Sequence, residues 1–323
     1  MLNVLSLFSG IGAFEMALSN LNIHYNLVYF CEIDKYASKV YSKLHKETLS
    51  KNLGDITKID IDVLNCPIDL LVHGSPCQDF SISGKGKGGD ENSGTRSSLM
   101  WYSVKIIKKT LPKYVVWENV GNILSPKHKH NFDKYLDTLK DLGYTNHFKI
   151  LNCKDFSLPQ SRNRVFVVSI RNDVCNRFSF DKISISNAKV YIKDFIDEIS
   201  NIEDKYFVKR PMKPITTHSK EIITVGEVSN KGSQAGKVYS IDGLFPTICA
   251  CTHGYAIGYI YQDEKVRMLM PNETFKMMGF PNDIYDICKE LNISNTQMYK
   301  MCGNSIPVTV LESIFAVLFE NEK

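Results

Sequence analysis

Hydrophobic positions in the first half of the chain follow two rhythms in turn. Runs of apolar, β-branched and aromatic residues at 2–8, 26–34, 68–74, 113–120, 147–152 and 164–170 have the length and content of strands. The stretches between them, one ending at Leu18 and the others at 35–47, 98–110 and 131–143, place apolar residues at helical spacing. Alternation of this kind predicts an α/β fold, a mainly parallel sheet with helices on both faces, because parallel neighbours need a crossover and a helix usually supplies it.

The rhythm weakens at about residue 171 and stays weak to about 265. Polar, glycine-rich stretches such as EVSNKGSQAGKVYS (227–240) separate short β-prone pieces there. Helical spacing returns at 271–279 and at 306–321, where Val310, Ile314, Val317 and Leu318 recur as on one helix face. The expected organisation is a catalytic and cofactor-binding domain at 1–175, completed by a C-terminal helix at 304–323, and a small loop- and β-rich domain with a hinge at 176–303.

With 323 residues the chain suffices for one large domain or two ordinary ones. A content of 43% hydrophobic and 23% charged residues is that of a soluble globular protein, and no apolar stretch is expected to reach the length of a membrane span. The formal charge of +4 permits a polyanionic partner without requiring one. Nine cysteines with no Cys-x-x-Cys pair argue against a disulfide framework or a zinc site and for reduced thiols in the cytoplasm.

Candidate chemistry gathers at the ends of the expected strands. In FSGIGAFEMAL (8–18), Gly10 and Gly12 let a ligand approach the backbone after the first strand. The next strand ends about twenty residues later at Glu32 and Asp34, where an acid accepts hydrogen bonds from ribose hydroxyls. Asp55, in GDI, offers an acceptor to an adenine amine. The full G-x-G-x-x-G is missing, which favours an adenosyl ligand over a dinucleotide.

Cys77 follows the third clear strand in GSPCQ, so it belongs at the same sheet edge. A glycine-rich loop with Lys85 and Lys87, and Arg96 beside it, comes after it and suits a phosphate backbone. Glu118 ends the next strand in WENV, and Arg162 and Arg164 precede the last one in QSRNR. A thiolate and a carboxyl group beside an adenosyl pocket suit methylation of a pyrimidine carbon. Thiolate addition at carbon 6 makes carbon 5 enamine-like, and a carboxyl group at the ring nitrogen stabilises the charge that develops. The base has to leave its stack for this to happen. A zinc-dependent deaminase is excluded, because Pro76–Cys77 is followed by Gln78, Asp79 and Phe80 and not by the second cysteine that class needs.

The motifs FSGIG, GSPCQ, ENV, QSRNR, MLMPNETFKMMGFP and QMYKMCGNSIP occur in this order along nearly the whole chain. In this the sequence resembles the cytosine-5 DNA methyltransferase family of bacterial and phage type. The resemblance implies a Rossmann-like S-adenosylmethionine-dependent methyltransferase sheet with a small target recognition domain. It implies Cys77 as the nucleophile at cytosine carbon 6, Glu118 at the ring nitrogen, and Arg162 and Arg164 as its supports. Phe8, Ser9, Gly10, Gly12, Glu32, Ile33, Asp55, Ile56, Pro76, Asn304 and Ser305 match positions around S-adenosylmethionine. The loop 81–95 resembles the family's mobile active-site loop, with Ser81, Ser83, Lys85, Lys87 and Arg96 as DNA contacts. Thr247 resembles the threonine that opens the recognition signature, and Gln234 and Tyr239 are candidates to read bases or touch the backbone. Two positions depart from the family: His73 stands where glycine is frequent, and Lys276 where arginine is.

The function implied is sequence-specific methylation of a flipped cytosine in double-stranded DNA by a cytoplasmic monomer. A cognate restriction endonuclease would share its target without touching it. Transfer RNA on the same scaffold is the alternative substrate. A non-catalytic DNA-binding relic is disfavoured by the intact Cys77, Glu118 and both glycines of the turn.

Overall fold

The first strand, β1 (Leu2–Leu7), turns through glycines into α1 (Ala13–Asn20), and β2 (Tyr25–Cys31) leads into α2 (Lys35–Leu44). Asp34 fixes the start of α2 by accepting the backbone N–H groups of Tyr36 and Ala37. After short 3₁₀ turns come β3 (Leu70–His73), α3 (Met100–Thr110), β4 (Tyr114–Val120), α4 (Lys129–Asp141) and β5 (Tyr144–Asn152). A two-residue strand, β6 (Gln160–Ser161), precedes β7 (Asn163–Arg171). The computed structural model describes residues 1–80, 87–218, 221–229, 234–250 and 257–320.

Two units emerge from the contacts within the chain. One comprises Met1–Leu151, Asn163–Ser184 and Leu311–Lys323, the other Asn152–Arg162 and Ile185–Val310. In the first, a six-stranded sheet has the order β2-β1-β3-β4-β7-β5. Strand β1 pairs in parallel with β2 and β3, and β3 with β4, so the expected parallel core is present. Strand β7 departs from that pattern and runs antiparallel to β4, with Glu118 opposite Phe166 and Val120 opposite Arg164. The first six residues of β4, Tyr114–Asn119, are all buried, as befits a central strand covered on both faces.

The second unit holds β8 (Lys213–His218), β9 (Ile223–Glu227), β10 (Lys237–Ser240), β11 (Phe245–Pro246), β12 (Tyr259–Gln262) and β13 (Lys265–Arg267). Five of these form a sheet of order β13-β12-β10-β9-β8, and β11 pairs with β6. Helices α5 (Pro271–Lys276), α6 (Ile284–Glu290), α7 (Asn295–Asn304) and α8 (Val308–Leu318) follow. Of these, α6 and α7 have no counterpart in the sequence expectation.

The unit boundaries fall at 184/185 and 310/311, not at the expected 175/176 and 303/304. Hydrogen bonds account for both: the Val308 N–H donates to the Met278 carbonyl and the Thr309 hydroxyl to the Phe156 carbonyl, which keeps the start of α8 with the second unit. Asn176 donates to the Leu318 carbonyl and Lys149 pairs with Asp181, so 176–184 stay with the first sheet. Residues 152–162 bond into the second unit, through Lys154 to Glu221 and the Gln160 carboxamide to the Ile248 N–H. Within the first unit the chain's last turns pack back on the sheet domain, with Phe315 against Phe14 and Phe319 against Tyr114.

One stretch among the described residues, Asn295–Leu318, would pass for a membrane span by length and composition alone. It is broken between α7 and α8 at Ser305–Pro307 and two thirds of it is buried, the character of core helices.

Candidate active site

The turn after β1 is built from left-handed backbone. Phe8 (φ 53°), Gly10 (φ 56°) and Gly12 (φ 83°) all lie there. For an aromatic residue this region is a marked outlier of the kind that collects at functional sites. A Cβ on Gly10 would meet nothing within 4 Å, so the space above the turn is open. A Cβ on Gly12 would lie 2.1 Å from His45 Nε2, because the His45 ring stands beneath the turn and bonds to the Ile11 carbonyl at 3.0 Å.

Glu32 ties the next strand end to this turn. One carboxylate oxygen accepts the Gly10 N–H at 2.8 Å and the other the Asp34 N–H at 2.7 Å. The Ser9 N–H donates to the Cys31 carbonyl, the Cys31 N–H donates to the Ser9 hydroxyl, and that hydroxyl donates to the Ser6 carbonyl. Ile33 is 73% exposed, an aliphatic side chain left outside the core beside the acid. Asp55 caps a short turn through the Thr57 N–H and hydroxyl; these bonds hold its carboxyl below the usual range. Ile56 is buried in the core behind it. Open space over a glycine turn, an acid at the next strand end and an exposed aliphatic residue fit the adenosyl half of S-adenosylmethionine. Asn304 and Ser305 belong to the second unit, where Asn304 ends α7 and Ser305 caps it.

Cys77 lies four residues past the end of β3 and is partly exposed. Cys31 and Cys288 are buried, and burial above all pushes their thiols up to about 12; Cys31 donates to the Gly54 carbonyl. Glu118, on the adjacent β4, is 8% exposed and pairs with Arg164 Nε at 3.0 Å. Arg162 is buried in the second unit. Its guanidinium donates to the carbonyls of Ile248, Gly303 and Ser305 at 2.8–3.0 Å, so it braces the backbone on either side of that unit's helices.

The sequence did not single out what holds the Cys77 turn in place. Trp117 Nε1 donates to the Ser75 hydroxyl at 3.0 Å, and Asn119 Nδ2 donates to the Ser75 carbonyl and hydroxyl at 3.1 and 3.2 Å. On the far side of Cys77, the Asp79 carboxylate accepts the Arg96 and Ser97 N–H groups, and the Asp79 carbonyl accepts the Gly88 N–H. The base of the loop is thereby closed. Phe80 is buried against Gly89, where a Cβ would come within 2.3 Å of its ring. Signals for both clamps were available in ENV and in the short polar residues around Cys77, but such residues are also common in plain loops.

Lys87 and Arg96 are exposed, whereas Ser81, Ser83 and Lys85 lie outside the described residues. In the second unit Gln234 Nε2 donates to the carbonyls of Thr247 and Ile257, and the Thr247 hydroxyl to that of Ser161. Tyr239 corrects an expectation. It is 3% exposed, with its ring edge-on to Phe245 at 5.2 Å and close to Gly258, and so packs the sheet instead of presenting a reading surface.

A model of the C-5 cytosine-specific DNA methylase family matches residues 2–320. A type II methyltransferase of Haemophilus parahaemolyticus, M.HhaI, is 33% identical over 97% of this chain and 93% of its own length. A type II methyltransferase of Lactococcus lactis subsp. cremoris, M2.ScrFI, is 36% identical over 85% of this chain and 72% of its own. An orphan methyltransferase of Bacillus phage SPR, M.SPRI, is 30% identical over 98% and 97%. Among solved structures, the S. pombe Dnmt2 methyltransferase superposes with a TM-score of 0.76 over 100% of both chains at 22% identity, a likeness of fold.

Proposed function

The chain belongs to the C-5 cytosine-specific DNA methylases, and from that premise we propose that it methylates a cytosine, flipped out of double-stranded DNA, within one short sequence by way of a covalent Cys77 adduct. As a member of this family it is a DNA cytosine-5 methyltransferase that uses S-adenosylmethionine. The single observation that carries the finer reading is the partly exposed Cys77 beside the strand that holds Glu118 against Arg164.

In this reading the Cys77 thiolate forms a bond to cytosine carbon 6 and the ring's π electrons shift toward carbon 5 and the ring nitrogen. Glu118 engages that nitrogen, and Arg164 holds the Glu118 side chain in place. Bound S-adenosylmethionine supplies an electrophilic methyl group for carbon 5. Loss of the carbon 5 proton to a base then lets the carbon–sulfur bond break and restores the thiolate. The turn at Phe8–Gly12, Glu32, Ile33 and Asp55 would hold the adenosyl half, with Pro76 beside it; Asn304 and Ser305 are further candidates for cofactor contact. Lys87, Arg96, Gln234 and Thr247 are the described candidates for DNA contact. Arg162 supports the site indirectly, through the carbonyls it braces.

The protein would act as a cytoplasmic monomer. A restriction endonuclease sharing its target is part of the proposal, in line with the type II relatives. Bisulfite sequencing of DNA from a methylation-free bacterial host expressing the chain tests the reading. Protected cytosines in one recurring short motif are the expected result. Absence of protection with soluble protein refutes it, and methyl transfer to transfer RNA would then establish the other substrate.

A further inference from the structure

We infer that Ser75 is a positioning residue for this reaction: gripped by both neighbours of Glu118, it fixes the turn that carries Cys77 against the strand that carries the acid. The inference rests on the covalent reading of Cys77 given above.

The ladder between β3 and β4 ends with His73 opposite Trp117. Beyond that pair the chain leaves the sheet for Pro76 and Cys77, and backbone pairing no longer sets its distance from β4. The side chains take over. In a strand, Trp117 and Asn119 lie on one face and Glu118 on the other. Both donors on the first face converge on Ser75, Trp117 through Nε1 and Asn119 through Nδ2. Asn119 Oδ1 in turn accepts the Val120 N–H, which fixes the amide's orientation. All three residues are buried, at 3% exposure or less. Trp117 cannot swing away, since it stacks on His73 at 5.7 Å and lies 4.2 Å from the Tyr135 ring.

Two buried donors therefore meet one hydroxyl two residues before the nucleophile. Removing that hydroxyl strands the Trp117 N–H and half of the Asn119 pairing. Relief comes only by moving the turn, and a displacement near 1 Å in reacting groups costs about 100-fold in rate. A residue that merely packed the interior would lower stability and leave the chemical step alone.

The test compares Ser75→Ala with Ser75→Thr, which keeps the hydroxyl. Single-turnover methyl transfer by the Ala variant should fall about 10- to 100-fold, with KM for DNA and cofactor within about twofold of wild type. The Thr variant should recover most of the rate. A second measurement follows alkylation of Cys77 by iodoacetamide against pH, read peptide by peptide. Its profile should be displaced in Ser75→Ala and restored in Ser75→Thr. A wild-type transfer rate in Ser75→Ala, or an unchanged alkylation profile, overturns the assignment. If Ser75→Ala proves insoluble, Trp117→Phe removes one of the two donors while keeping a ring, and should give an intermediate loss; no loss there overturns the assignment equally. Failure of the wild-type chain to methylate DNA would instead defeat the proposed function, while the alkylation profiles still decide the role of Ser75.

Discussion

Glu273→Gln should loosen the second unit by several kcal/mol. Glu273 and Arg267 are both fully buried and form a two-pronged pair at 2.7 and 2.8 Å. The carboxylate also accepts the Asp197 N–H at 2.9 Å and the Met270 N–H at 2.6 Å, so each oxygen serves two donors. An amide replaces one oxygen with an NH₂ group that faces two N–H donors, and it leaves the guanidinium charge without a counter-ion. Breaking a buried pair in this way costs about 3–5 kcal/mol. At about 1.36 kcal/mol per decade, that predicts amide exchange about 150- to 5,000-fold faster in the most protected amides of β12, β13 and α5. Peptide-resolved hydrogen exchange is the right assay because both tryptophans, Trp101 and Trp117, lie in the first unit, so their fluorescence would miss the event. Exchange within about threefold of wild type would refute the argument that this pair holds the unit together. Arg267→Lys should lie close to Glu273→Gln, because an ammonium cannot reproduce the two-pronged contact.

Other outcomes follow from the site. Cys77→Ser should bind DNA and lose methyl transfer, and turnover at the wild-type rate, measured by labelled methyl incorporation, would sink the nucleophile assignment. Glu118→Gln should lower single-turnover transfer steeply, and an unchanged rate would remove Glu118 from the chemistry. Gly10→Ala and Gly12→Ala should each cost about 1–2 kcal/mol for left-handed backbone. Only Gly12→Ala should also displace His45 from the Ile11 carbonyl, so its melting temperature should fall further, while Gly10→Ala should chiefly weaken cofactor binding by calorimetry. His73 is buried and neutral, and burial lowers its pKa to about 3. Below the ordinary value of about 6.5 the unfolded chain takes up a proton that the folded chain refuses, so stability is full above that pH and is lost as pH falls toward 3. Between pH 6.5 and 5 the loss should be about 1.6 kcal/mol, read as a lower urea midpoint by tryptophan fluorescence. His73→Gln should flatten that dependence.

The periodicity of apolar residues was enough to determine the first five strands, the helices between them and the order of the chemistry along the sheet edge. Local hydrophobic rhythm is a property of consecutive residues, and motifs such as GSPCQ carry their turn in their own glycine and proline. The candidate nucleophile and acid were legible for the same reason. The antiparallel sense of β7 was not, since a fully buried strand reads alike in either direction. Nor was the division of QSRNR, which leaves Arg164 on Glu118 and commits Arg162 to three carbonyls of the other unit. Tyr239 looked like a surface reader because its neighbours in sequence are polar, yet the glycine that makes room for its ring is Gly258, across the sheet. Ser75 gave no sign of its part for a like reason: both of its partners lie more than forty positions away, and only the pairing of β3 with β4 brings them to it. Pattern along the chain determined the elements of the first sheet; contacts between distant residues decided how the candidate side chains are held.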